Sequence, residues 1–348
     1  MVYDPFLRGH FPVGVRTLEI HDDARQRRFP VEIWYPAAAR HAGRDLDPTT
    51  QDAFGIATGE LQKQSAARDA EAEGGMYPLV VFSHASSHHR RGATYLCTHL
   101  ASHGYVVAAM DHSEVVAPDL GRRNGESAEQ KAARVRAIIG SRVPDVCFLL
   151  DELLGRSAWR FEARVDVDRI AIAGHSFGGW TALAAPESEP RIRAVVALAP
   201  GGSSHPRPGI IPSKLTFAWG RDVPTLYLVA ENDICVPLDG ERELFARTRG
   251  TRRLFVLRRA DHAHFMDRVE QEHEDARALP WTGELAWIAR EMRPIAEFCS
   301  GDESHRFTCG LALAHLDAWL QGMTDAQRFI AGDLVRECAQ RGVTVLSG

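Results

Sequence analysis

Apolar residues fall in short runs of strand length separated by stretches of helical spacing, the pattern of a mostly parallel sheet covered on both faces. Val31-Glu32-Ile33-Trp34-Tyr35 reads as an early strand closed by Pro36. Residues 37–75, rich in Ala, Asp, Gln and Gly, read as a surface insertion, with some helix expected from Leu61 to Ala72. Leu79-Val80-Val81-Phe82 is a buried type of strand. The spacing predicts a helix over Thr94–His103, a stop at Gly104 and a strand over Tyr105–Met110. A polar insertion over 113–141 precedes a helix over Val143–Leu154. The strand Arg169–Ala173 runs into Gly174-His175-Ser176-Phe177-Gly178-Gly179, with a helix to about Ala185. Strands follow over Ala194–Leu198, Thr225–Val229 and Arg253–Leu257. A third insertion, 267–306, carries the amphipathic piece Leu285–Ile295, and a helix is expected over Leu311–Leu320. No repeat or linker interrupts the series, so 1–348 reads as one domain with cap-like insertions.

Composition narrows the class little further. The 348 residues are 45% hydrophobic and 25% charged, with net charge −5. The basic pairs Arg27-Arg28, Arg90-Arg91, Arg122-Arg123 and Arg252-Arg253 are scattered, so no stripe for nucleic acid is expected. No run reaches the roughly 18 apolar residues of a membrane span. The first residues, Met1-Val2-Tyr3-Asp4-Pro5-Phe6-Leu7-Arg8, have no secretory pattern, and the 6 cysteines form no CxxC pair. Reduced thiols and a cytoplasmic location are the expectation.

The chemistry concentrates at Ser176. Gly174-His175-Ser176-Phe177-Gly178 fits G-x-S-x-G, with a β-branched strand leading in and a small-residue helix leading out. Such a sharp turn lifts the serine hydroxyl above the sheet, and glycines let the flanking backbone pass. A serine hydroxyl needs a base, and the base needs a carboxylate to orient it. Asp233, after the strand Thr225–Val229, is the candidate acid, ahead of Glu231 and Asp239, while Asp222 precedes the strand. His262 is the candidate base in the first turn after the strand ending at Leu257, with His264 as its competitor. Donors for an oxyanion are expected from the Phe177 backbone N–H and from Ser86, or its neighbour Ala85. His84, His88 and His89 lack a carboxylate or cysteine at ligand spacing, so neither metal nor cofactor is expected.

Several segments together resemble the platelet-activating-factor acetylhydrolase group (plasma and type II) and its dienelactone-hydrolase-like bacterial relatives. They are Pro12-Val13-Gly14-Val15, Arg27 to Pro36, Phe82-Ser83-His84, Leu100 to His112 and Gly174 to Gly179. The resemblance implies an α/β-hydrolase fold and a cofactor-free Ser–Asp–His hydrolase of esters. By position it supports Ser176 as nucleophile, Asp233 as acid and His262 as base, with Ser86 and Phe177 as oxyanion donors. Two departures stand out. The group's His-Gly after the oxyanion strand is His84-Ala85 here. Residues 113–141 and 267–306 are strongly charged, unlike an apolar membrane-docking face.

The expected function is hydrolysis of a carboxylic ester through an acyl-enzyme, on a small acyl ester, short-chain phospholipid or polyester. An amidase or thioesterase would use the same residues. A non-catalytic binding protein on this fold would be expected to have lost the nucleophile or base, yet Ser176, Asp233 and His262 are all present.

Overall fold

Buried β-branched and aromatic residues build the strands around which the chain is organised. The computed structural model describes residues 3–56, 59–122, 125–155 and 163–348. Met1, Val2 and Arg123, named above, lie outside them. Two compact units emerge, one of Leu7–Ala171 and one of Met1–Phe6 with Ile172–Gly348.

The first unit carries β1 (Val13–Asp22), β2 (Arg27–Pro36), β3 (Asp52–Gly55), β4 (Leu61–Gln64), β5 (Ala67–Arg68) and β6 (Gly75–Ser83). After these come α1 (Thr94–Ser102), β7 (Val106–Met110), α2 (Ser113–Val116) and α3 (Ala128–Gly155), then β8 (Ala163–His175), which continues into the second unit. The strand order β6-β7-β2-β1-β5 mixes parallel pairs at β6/β7 and β1/β5 with antiparallel pairs at β1/β2 and β2/β7. Burial runs without a break through the paired stretches of β6 and β7, where Leu79, Val80, Val106, Val107, Ala108 and Ala109 are fully enclosed.

The helix expected between Leu61 and Ala72 is not there. Leu61–Gln64 instead pairs antiparallel with Asp52–Gly55, and Ala67–Arg68 pairs with β1. Polar anchors override the local Ala and Gln preference for helix. Trp34 Nε1 donates to Gln64 Oε1 at 2.6 Å, Gln64 Nε2 donates to Asp52 at 2.6 Å, and Arg68 reaches both Glu32 and Asp52. Glu32 is itself fully buried on β2 and accepts from Thr17 and Arg91 as well. The helix expected over Val143–Leu154 begins at Ala128 instead. Its first turns are largely exposed and polar, so no apolar period marks them.

The second unit continues with α4 (Phe177–Ser188), β9 (Ile192–Leu198), β10 (Thr225–Ala230), α5 (Leu238–Arg247) and β11 (Arg252–Leu257). Then come α6 (Val269–Ala278), α7 (Ile288–Glu291), α8 (Gly301–Trp319), α9 (Thr324–Ala331), α10 (Leu334–Ala339) and β12 (Val345–Ser347). The order β12-β11-β10-β9-β8 has parallel pairs at β9/β10 and β10/β11, with β12 antiparallel at the edge. The helix expected over Leu311–Leu320 starts at Gly301. A capping box sets that start, with Glu303 N–H donating to Ser300 Oγ at 3.3 Å and Ser300 N–H to Glu303 Oε2 at 3.0 Å. Among the described residues no helix is long and apolar enough to cross a membrane.

Replacing Glu32 by Ala removes the buried carboxylate acceptor of Arg91 and leaves Arg68 with Asp52 as its carboxylate partner. Both keep partial access to water, so the expected loss is up to about 3 kcal/mol, read as a lower urea midpoint.

Candidate active site

Parallel pairing places the candidate residues of the second unit at one edge of its strands. β10 and β11 run side by side in register from Thr225↔Arg252 to Ala230↔Leu257, so the loops after them leave together. Glu231 N–H donates to Leu257 O at 2.9 Å and Asn232 N–H to Ala260 O at 2.8 Å, which ties the two loops. β8 ends at His175 beside β9, and Ser176 N–H donates to Leu198 O at 2.9 Å.

Ser176 itself sits at φ 58°, ψ −117°, a left-handed backbone that a non-glycine residue adopts only when its surroundings enforce it. Its carbonyl receives the N–H groups of Trp180 and Gly201 at 2.9 and 3.0 Å. Gly179 permits the close approach of α4 that this requires, because a Cβ there would lie 2.8 Å from Pro200 Cα and 3.1 Å from the Gly174 carbonyl oxygen. Phe177 begins α4 and stacks on Trp180 with ring centroids 5.2 Å apart.

Three side chains then form a chain of hydrogen bonds. Asp233 is buried, and its Oδ1 accepts from the N–H groups of Cys235 and Val236 at 2.8 and 2.9 Å. Its Oδ2 lies 2.6 Å from His262 Nδ1, and His262 Nε2 lies 2.8 Å from Ser176 Oγ. With Nδ1–H donated to the carboxylate, Nε2 is left to accept the serine proton. Burial pushes the His262 pKa down, but the Asp233 carboxylate, with Asp261 behind it, carries it above the ordinary histidine value.

The competing residues are engaged elsewhere. His264 is fully buried, with Nδ1 2.8 Å from Asp261 and Nε2 3.1 Å from Cys299 O. Glu231 accepts from Arg258 Nε and Arg259 N–H, Asp239 is exposed in the first turn of α5, and Asp222 accepts from Thr251.

Ser86 belongs to the first unit, exposed in the loop after β6, followed by Ser87 at φ 63°. The root of that loop is braced from within its own unit. Arg142, fully buried on α3, donates to His84 O at 2.7 Å, and Ser83 Oγ lies 2.8 Å from His112 Nε2. His84 spends both ring nitrogens inside the chain, Nδ1 on Ala85 O at 2.7 Å and Nε2 accepting from His112 N–H at 3.1 Å. Burial and the Arg142 charge hold its pKa well below the ordinary value.

Residues 48–132 match the family described as "Platelet-activating factor acetylhydrolase, isoform II". That stretch ends before Ser176. A platelet-activating factor acetylhydrolase of Cavia porcellus is 24% identical over 72% of this chain and 63% of its own length. A bis(hydroxyethyl) terephthalate hydrolase of Streptomyces coelicolor is 26% identical over 49% of this chain and 44% of its own. The cutinase est1 of Thermobifida alba is 26% identical over 50% and 48%. The chain thus spans less than two thirds of the length of each of these relatives. A ferulic acid esterase structure from Streptomyces cinnamoneus superposes with a TM-score of 0.63 at 24% identity, covering 90% of this chain and 91% of that one. The chain has the α/β-hydrolase fold.

Two further segments of the second unit meet beside the Asp233 loop, a contact invisible in the sequence. The guanidinium of Arg207 lies 3.6 Å from the Trp287 ring centroid, pairs with Glu291 at 2.6 Å and donates to Ile234 O at 3.2 Å. Trp287 Nε1 donates to Pro208 O at 3.0 Å. Stretches 201–216 and 283–291 are thereby joined one residue from Asp233.

Histidine-resolved NMR titration checks the electrostatics directly. His262 should titrate above the ordinary value of about 6.5. Asp233→Asn removes the principal charge holding its proton while the burial stays, so the midpoint should fall.

Proposed function

We propose that this protein is a serine hydrolase that cleaves carboxylic esters through an acyl-enzyme. The observation that carries the reading is the Ser176–His262–Asp233 chain, with contacts of 2.8 and 2.6 Å across three separate loops. Ser176 Oγ attacks the acyl carbon while His262 Nε2 takes its proton, and the imidazolium returns that proton to the departing alcohol. Water, deprotonated by the same nitrogen, then attacks the acyl-enzyme and releases the acid and free serine. Asp233 keeps the ring in the tautomer with Nδ1–H and offsets its positive charge. Phe177 N–H, at the start of α4 where the helix dipole favours negative charge, is assigned to the oxyanion. For the second donor, Ser86 or its neighbour Ala85 is the candidate that the resemblance implies.

The names of the relatives support the ester as substrate class, since an acetylhydrolase, a terephthalate ester hydrolase, a cutinase and a ferulic acid esterase all act on carboxylic esters. Their acids range from small to aromatic. The stretches 201–216 and 283–291 are proposed to set which acid or alcohol this chain accepts. Burial pushes the thiols of Cys299 and Cys338 up to about 12, so neither forms a thiolate readily near neutral pH.

On a series of p-nitrophenyl esters of increasing acyl length, with and without a chelator, wild type should turn over and Ser176→Ala should fall by roughly three orders of magnitude. A chelator should change nothing. Retained activity in Ser176→Ala would sink the serine mechanism.

A further inference from the structure

The turn that carries His262 also holds a second group of buried ionisable residues that the proposed reaction does not use. Asp261 is buried, and His264 and His273 are fully enclosed. Asp261 Oδ1 accepts from Ala263 N–H at 3.1 Å and lies 2.8 Å from His264 Nδ1, while Oδ2 lies 2.6 Å from His273 Nδ1. The far nitrogen of each ring faces a backbone carbonyl. His264 Nε2 is 3.1 Å from Cys299 O, and His273 Nε2 is 2.8 Å from Arg293 O.

A carbonyl oxygen only accepts, so each Nε2 must carry a hydrogen. His264 can manage with one proton, because Asp261 N–H also lies 3.0 Å from its Nδ1 and can donate to it. His273 has no such donor among the described residues. It faces a carboxylate oxygen at one nitrogen and a carbonyl oxygen at the other. A neutral ring would leave the Nδ1 lone pair 2.6 Å from a carboxylate oxygen; Nδ1 makes no aligned hydrogen bond there, and the close charge contact favours the doubly protonated imidazolium.

This pair is also a structural tie. His273 lies on α6, Arg293 on the following segment, and Phe298 packs edge-on against both His264 and His273 with centroids 5.7 and 5.4 Å away. Gly301 N–H donates to Glu270 at 2.7 Å, and Ser304 Oγ donates to His264 O at 2.5 Å. Four parts of the 267–306 insertion thus converge on a turn one residue from His262.

We propose that Asp261 and His273 are positioning residues, whose buried ion pair holds the His262 turn in place for proton transfer and does so only while His273 is protonated. This rests on the reading of Ser176 and His262 as nucleophile and base. The charges acting on His273 are Asp261 from the turn and Glu274 from its own helix. From the segment packed against it, Arg293 supplies a carbonyl, while its guanidinium lies over Phe298 and pairs with Glu297; from the turn, His264 shares Asp261. From α6 and the start of α8, Glu270 is held by Gly301 N–H.

Burial pushes the His273 pKa down, but Asp261 and the Arg293 carbonyl carry it above the ordinary value, and both histidines hold Asp261 far below the carboxylate range. For a group raised on folding, the stabilisation is complete below the unfolded pKa of about 6.5 and is lost as pH rises through the folded value. Turnover should therefore have an alkaline limb from His273, opposite in sense to the acid limb set by His262.

The test compares pH profiles of kcat and KM for wild type, His273→Gln and Asp261→Asn, together with imidazole ¹⁵N NMR of wild type. The expected result is a kcat lower by on the order of tenfold to a hundredfold, KM little changed, the alkaline limb abolished and the acid limb kept. In wild type both ring nitrogens of His273 should be protonated at pH 6.5. A wild-type kcat and alkaline limb in His273→Gln would overturn the proposal. So would an unprotonated ring nitrogen on His273, a result that stands even if the variants fail to fold. Activity surviving in Ser176→Ala would instead overturn the reading of the site and leave the NMR result intact.

Discussion

The left-handed backbone of Ser176 is the constraint on which the rest of the site depends. A residue at φ 58° is tolerated only where neighbours leave no alternative. Here its N–H is held by Leu198 O and its carbonyl by Trp180 and Gly201. The cost of that conformation is met by the buried parallel strands on one side and the close seating of α4 on Pro200 on the other. Because the backbone is fixed, Cβ is fixed too, and His262 Nε2 lies 2.8 Å from the hydroxyl it carries.

Buried charge is handled by pairing in both units. In the first, Glu32 is surrounded by Arg68, Arg91 and Thr17, and Arg142 is enclosed with Glu114 and the His84 carbonyl. In the second, Asp233 spends one oxygen on two backbone N–H groups and the other on His262, and Asp261 divides its oxygens between two histidines. An isolated buried charge is costly, so each carboxylate comes with its donors and each donor is thereby oriented. Glu241 departs from this rule. It is buried on α5 with neither carboxylate oxygen hydrogen-bonded among the described residues, and burial, followed by the nearby Asp233 charge, raises its pKa well above the ordinary value.

Much of the strand framework was legible because buried parallel strands read as uninterrupted apolar runs. Leu79–Phe82, Tyr105–Met110, Ala194–Leu198 and Thr225–Val229 all fall within observed strands or one residue outside them. The misreadings share a cause. Gln64 and Arg68 look like residues of a solvated helix until Trp34, Asp52 and Glu32 are seen around them. The exposed first half of α3 carries no apolar stripe, and Glu303 gains meaning only beside Ser300 as a cap.

The sequence by itself determined the Ser176 turn. A strand, a serine between small residues and a helix lie within a few positions, where local sterics decide the geometry. It also narrowed the proposed acid and base to short stretches after two strands. Only the tertiary structure decided between neighbours there: Asp233 rather than Glu231 or Asp239 faces His262, and His262 rather than His264 faces Ser176. It alone brought His273 to Asp261 from a segment that read only as a strongly charged insertion. The physical reason is range. Turn geometry is set by adjacent residues, whereas the direction of a side chain and the partner it meets depend on packing between elements far apart in the chain.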